Sequence, residues 1–238
     1  MNPRTVVITG GTKGLGKETA LAFARAGYFV MALYRSDELA AGQLRDALME
    51  AGALGCVLRH DVTSEEDGAV WNRPEIQEAE NLTLIHNACA FFSPRPLHQL
   101  RWYEVEAGLD VAVKGGWLCA QALIRLMVRS GRGTIVNVLT AALDGIPPKG
   151  FADYIIAKHA LRGLTLALAS EFSSRGVRVF TVSPGFMETS LTAQWDARLR
   201  EAVREGSARI TDPAAAGRRI MELVENETVP GQGEDYPI

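Results

Sequence analysis

Apolar positions along the chain fall into two kinds of run, and the alternation between them carries the architecture. Short, nearly continuous and often β-branched runs occupy residues 5–9, 29–33, 56–59, 82–86, 134–138 and 178–182. A strand with one wet face alternates apolar and polar residues, whereas a continuous apolar run needs cover on both faces. Longer stretches with helical spacing lie between these runs, at 14–26, 37–51, 102–128, 154–174 and 213–225. Strand and helix taken in turn predict an α/β fold, a doubly wound parallel sheet of Rossmann type, in a single domain over residues 1–238. Asp212-Pro213 places a capping side chain before a proline at the first helical position. Ser64-Glu65-Glu66-Asp67 reads as a capping box opening a further helix that Pro74 interrupts. The least regular stretches are 143–152, 184–196 and the tail beyond Val229. The first two follow strands directly, where parallel sheets of this kind bind ligands.

Composition narrows the partners. With 238 residues, 47% of them hydrophobic, the chain supports one sizeable core. A net charge of −3 and the lack of any basic stripe argue against a nucleic-acid partner. Cys56, Cys89 and Cys119 are widely spaced with no CxxC pair, which favours reduced thiols over disulfides or a zinc site. His60, His86, His98 and His159 lack ligand-spaced partners, so no metal is expected. The N-terminus enters an apolar strand with neither a signal-peptide pattern nor a membrane span, which predicts a cytoplasmic protein with no membrane partner.

Two motifs carry the chemistry. In Thr9-Gly10-Gly11-Thr12-Lys13-Gly14-Leu15-Gly16, three spaced glycines sit between the first strand and the first helix. Such a turn brings backbone N–H groups and a helix N-terminus against a pyrophosphate. After the second strand, Leu33-Tyr34-Arg35-Ser36 offers no carboxylate for a ribose 2′-OH. Arg35, with Lys13 in the turn, is suited to a 2′-phosphate, so the expected cofactor is NADP(H). Far downstream, Tyr154-Ile155-Ile156-Ala157-Lys158 puts a phenol and an ammonium on one helix face. The ammonium is expected to lower the phenol's pKa toward working pH, fitting it for proton transfer.

Taken in order, these segments resemble the short-chain dehydrogenase/reductase family over nearly the whole chain, from Thr5 to about Thr189. Thr9–Gly16 is similar to its T-G-x-x-x-G-x-G cofactor motif, and Tyr154–Lys158 to its Y-x-x-x-K element. His60-Asp61-Val62 stands where the family places an aspartate against adenine, and His86-Asn87-Ala88-Cys89 where it carries N-N-A-G. Pro184-Gly185-Phe186-Met187-Glu188-Thr189 resembles the segment covering the nicotinamide. The resemblance implies a catalytic set of Thr140, Tyr154 and Lys158. It implies cofactor contacts from Gly10, Thr12, Lys13, Gly14, Leu15, Gly16, Tyr34, Arg35, Ser36, Asp61, Val62, Asn87, Ala88, Cys89, Pro184, Gly185, Met187 and Thr189, with Tyr154 and Lys158 shared between the two sets. Tyr154 would be the general acid, Lys158 would hold the nicotinamide ribose, and Thr140 would orient the substrate oxygen.

Three positions depart from the family. Thr140 replaces the usual serine and is separated from Tyr154 by a segment one residue longer, Ala112 replaces an asparagine, and Cys89 replaces a glycine. The expected activity is NADPH-dependent reduction of a ketone or aldehyde, a 3-oxoacyl thioester among the candidates. The alternatives are a cofactor-binding regulatory or scaffold protein with weak or no catalysis, and an alcohol or dihydrodiol dehydrogenase working oxidatively. Pocket walls are expected from residues 91–97, 143–151 and 186–195, and Trp102, Trp117 and Trp195 are expected to pack. The helices at 102–128 and 154–174 resemble the pair through which family members associate, which implies a homodimer. The short acidic tail weakens the alternative of a homotetramer.

Overall fold

Strands β1 (Arg4–Thr9), β2 (Phe29–Tyr34), β3 (Gly55–Arg59), β4 (Asn81–His86), β5 (Gly133–Val138), β6 (Val177–Ser183) and β7 (Gln232–Pro237) form one parallel sheet in the order β3-β2-β1-β4-β5-β6-β7. The computed structural model describes residues 4–66 and 68–238. Helices α1 (Gly14–Arg25), α2 (Glu38–Glu50), α3 (Pro74–Gln77), α4 (Trp102–Leu109), α5 (Gly115–Ser130), α6 (Ala152–Phe172), α7 (Ala197–Gly206) and α8 (Pro213–Glu225) complete a single Rossmann-like domain. The continuous apolar strands are covered on both faces, as their composition requires. Val6, Ile8, Val30 and Ala32 pack under α1, α2 and α8, while Val7, Met31, Leu33 and Leu84 pack under α5. Successive strand residues point to opposite faces, so one run feeds both cores. Strand order reverses between β1 and β4, which opens a crevice at their carboxyl ends.

Four elements differ from the sequence reading. The capping box at 64–67 opens no α-helix: a 3₁₀ segment at Gly68–Asn72 and the single turn α3 follow it, and Asp67 itself lies outside the described residues. The long helix at 102–128 is split by a π-helical turn, Asp110–Lys114, between α4 and α5. The stretch Trp102–Ser130 is long and apolar enough to cross a membrane, yet Cys119, Ala120, Leu123 and Met127 pack it on the sheet. α7 was not visible as a helix, because its charged residues bury none of their number. The tail is a strand rather than a loop: β7 pairs with β6, and Asp235 accepts hydrogen bonds from the hydroxyls of Thr181 (2.7 Å) and Ser183 (2.8 Å).

Candidate active site

The crevice floor is built by the glycine-rich turn. Gly14 sits at φ +50°, a left-handed conformation that side chains rarely adopt, and it turns the chain into α1. A Cβ on Gly16 would lie 2.2 Å from the Gly10 carbonyl oxygen, so no larger residue lets α1 approach β1 this closely. The N-terminus of α1 is uncapped: Lys13 makes no side-chain cap and the first turn holds no acidic residue. Its amides therefore remain open to an anion. Asn87 holds the turn from the far side, its Nδ2 donating to the Thr9 (3.1 Å) and Gly10 (3.0 Å) carbonyls.

This turn forms one end of a groove of about 380 Å³. Gly10, Lys13, Gly14, Leu15 and Arg35 line that end, and Asn87, Ala88 and Cys89 line its middle. Thr140, Tyr154 and Lys158 line the other end, together with Pro184, Gly185, Met187 and Thr189. An uncapped helix N-terminus, a turn too tight for side chains and an elongated groove fit a dinucleotide. Six of the residues expected to contact the cofactor do not line this groove. Thr12 and Gly16 are buried in the turn behind the groove. The Tyr34 hydroxyl donates to Glu38 (2.7 Å), which points that side chain at α2. Ser36 is exposed and does not line the groove. The Asp61 carboxylate accepts from the amide (3.0 Å) and hydroxyl (2.8 Å) of Thr63, and this bonding holds its pKa low. Val62 is core, pressed against Gly115 at the start of α5. Lys13 pairs with Asp37 (2.9 Å), which also caps α2 through the Ala40 amide (3.0 Å).

At the far end, Tyr154 and Lys158 do share a face of α6, with the Lys158 ammonium 5.7 Å from the centre of the Tyr154 ring. Lys158 is buried and donates to the Val138 carbonyl (2.7 Å). The phenol's pKa departs from expectation: burial pushes it up, and the Thr140 hydroxyl beside it pulls it down only in part. Burial also lowers the pKa of Lys158, since no carboxylate is at hand to hold its charge. Between Thr140 and Tyr154 the longer segment forms a loop whose Gly150, at φ +86°, packs on Arg95, and both Thr140 and Tyr154 line the groove and the cavity beside it.

Behind Lys158 lies a residue that sequence reasoning treated as a strand end. His86 is buried, and its Nε2 donates to the Ala112 carbonyl (3.1 Å) in the π-helical turn. Its Nδ1 faces the Thr9 hydroxyl (3.1 Å), which itself accepts the amides of Asn87 (3.0 Å) and Ala88 (3.0 Å). A hydroxyl accepting two bonds has one proton left to give, so the ring is the neutral Nε2–H tautomer. Burial first, and then the Lys158 charge, push its pKa down to about 4.

Beside Tyr154 a second cavity of about 300 Å³ opens, sharing Thr140, Tyr154 and Met187 with the groove. Phe92, Phe151, Phe186 and Trp195 come from the three loops expected to wall a pocket. Residues 203–209 at the end of α7 and beyond it were not expected there. Trp195 is buried as expected, but Trp102 and Trp117 are 69% and 55% exposed.

A dinucleotide groove that meets a Thr–Tyr–Lys cluster beside an aromatic-walled cavity defines an oxidoreductase of the nicotinamide-using class. The family model described as short chain dehydrogenase matches residues 4–200, and the chain belongs to the short-chain dehydrogenase/reductase family. Among its relatives, a 3beta-hydroxysteroid dehydrogenase of Mediterraneibacter gnavus is 30% identical over 97% of this chain and 80% of its own length. The 2,5-dichloro-2,5-cyclohexadiene-1,4-diol dehydrogenase LinX of Sphingobium indicum is 30% identical over 99% of this chain and 94% of its own. Among solved structures, a Beutenbergia cavernae protein, provisionally a NAD(P)-dependent gluconate 5-dehydrogenase, holds NADP at low occupancy. It is 25% identical, covers 98% of this chain and 94% of its own, and superposes with a TM-score of 0.82.

Proposed function

We propose that this protein is an NADPH-dependent reductase of ketones or aldehydes in which Tyr154 is the general acid. The observation that carries the reading is that Thr140, Tyr154 and Lys158 line one end of the groove, and Thr140 and Tyr154 line the adjoining cavity as well. When bound, the cofactor supplies hydride to the carbonyl carbon. Burial keeps the Tyr154 phenol protonated at neutral pH, which is the form a proton donor needs. Thr140 holds the substrate oxygen against that phenol, and the Lys158 ammonium stabilises the phenolate left after transfer.

The choice of NADPH rests on Arg35, which lines the groove past β2, and on the lack of any carboxylate among the described residues that line the groove. Lys13 adds a second cation, and its bond to Asp37 is an exposed, solvent-screened pair that can be exchanged for a phosphate. Assembly as a homodimer is part of the same reading. Trp102 and Tyr103 on α4, Trp117 on α5 and Ile156 and Leu166 on α6 are exposed apolar residues on the two helices expected to pair. Sedimentation as a monomer at micromolar concentration would remove that part.

The alternative of a catalytically silent binder draws on Ala112, whose carbonyl is engaged by His86. A cofactor-consumption screen separates the two readings, with NADPH and NADH in parallel over ketones, aldehydes and acyl thioesters. The reductase consumes NADPH faster than NADH with at least one carbonyl; tight NADPH binding without turnover of any carbonyl or alcohol would establish the binder.

A further inference from the structure

The cavity beside Tyr154 has a shape that discriminates among carbonyl compounds. Its back wall is three buried rings, Phe92, Phe151 and Trp195, with centroids 5.2, 5.3 and 5.7 Å apart and planes at 71–82°. Each ring is held edge-to-face by the other two, so the wall presents one continuous aromatic surface. The one polar atom of that wall, Trp195 Nε1, donates to the Phe92 carbonyl (2.9 Å). The wall therefore offers a ligand contact area and no hydrogen bond.

The wall also stands close to the reacting atoms. Phe92 lies flat on the Tyr154 ring, with centroids 4.3 Å apart and planes 9° from parallel. A carbonyl bonded to the phenol thus sits beside the wall, and its substituents lie against that aromatic surface. A volume of about 300 Å³ lies at the small end of ligand sites. The charged lining residues are Asp144, which is exposed, and Arg209, whose guanidinium donates to the Ser183 carbonyl (3.4 Å), so the aromatic wall itself carries no charge that would hold a phosphate or carboxylate.

We infer that this cavity selects a compact ring ketone, or the matching cyclic secondary alcohol, over open-chain carbonyls and acyl thioesters. In a ring ketone the two substituents are tied back into one flat body that lies against Phe151 and Trp195. The inference rests on the carbonyl-reductase reading: the ring carbon gains the hydride of NADPH, the oxygen gains the Tyr154 proton, NADP⁺ leaves, and solvent restores the phenol.

The test compares 2-decalone with 2-decanone, a fused ring and an open chain of equal carbon count, and with acetoacetyl-pantetheine. For the wild-type protein with NADPH, kcat/KM for 2-decalone should exceed that for 2-decanone by at least about tenfold, or ~1.4 kcal/mol. Phe151→Leu keeps an apolar side chain and removes the ring. It should cut that ratio to about threefold or less while the NADPH Kd stays unchanged. Equal or better use of 2-decanone or of the thioester would overturn the inference and leave the reductase reading standing. If no carbonyl is turned over, that reading fails, and binding alone decides. In Tyr154→Phe with NADPH, the Trp195 fluorescence change, identified by its loss in the further variant Trp195→Phe, reports each ketone. Tighter binding of 2-decalone supports the cavity's selectivity, and equal or weaker binding refutes it.

Discussion

The groove floor between β1 and β4 is held by backbone and buried hydrogen bonds, whereas the cavity beside Tyr154 is held by ring packing between loops. On the floor, Thr9, His86, Asn87 and Ala112 form a hydrogen-bonded network that ties the ends of β1 and β4 to the π-helical turn. In the cavity, Phe92, Phe151 and Trp195 come from three separate loops and pack on one another and on apolar neighbours. Buried polar networks tolerate few substitutions, because one lost partner strands another. Apolar packing accepts a change of shape at lower cost. A shared cofactor is thus read by the rigid half, and a substrate particular to this protein by the half that can be resculpted.

The contrast can be broken from the floor side first. Lys158→Met removes the charge facing Tyr154 and should cost about 10³-fold in kcat/KM by steady-state kinetics. Gly16→Val drives a side chain into the Gly10 carbonyl and should cost about 3 kcal/mol of stability in urea unfolding, with loss of NADPH binding by calorimetry. His86 predicts a pH effect of similar size. Its folded pKa, about 4, lies below the ordinary 6.5, so the native state binds fewer protons than the unfolded chain between those values. The stability due to the neutral ring is complete above about pH 6.5 and is lost as pH falls toward 4, by roughly 3 kcal/mol. Urea unfolding at the two ends of that window should show this loss in the wild type and not in His86→Gln. The smallest effect sits at the groove's rim. Arg35→Ser should raise the NADPH KM by about tenfold and leave the NADH KM unchanged, as expected for one charge-assisted contact.

The same contrast governs what the sequence disclosed. The floor was legible because its signals are local: four glycines in one turn, an apolar strand before them, and a Tyr–Lys pair one helical turn apart. The Asp212 cap was equally local, and its carboxylate does accept the Ala215 amide (2.8 Å). Elements held by distant partners were hidden. β7 reads as polar coil, because its stability comes from pairing to β6 and from Asp235 bonding to Thr181 and Ser183. α7 buries no residue in its own right, although its end helps to close the cavity. His86 looked like a strand end, since its partner Ala112 is a backbone carbonyl released by a π-helical turn. Tyr154 was expected to titrate low from its neighbour's charge, but the packing of Phe92 on its ring is invisible in the spacing of a helix.

The central claim is that the two halves meet at a protonated Tyr154 which delivers its proton as hydride arrives. Single-turnover kinetics of Tyr154→Phe against the wild type, at saturating NADPH with the best ketone of the screen, address it directly. A fall of about 10³-fold or more in the hydride-transfer rate is predicted, with the NADPH Kd unchanged within about twofold. A variant rate within tenfold of the wild type would contradict it.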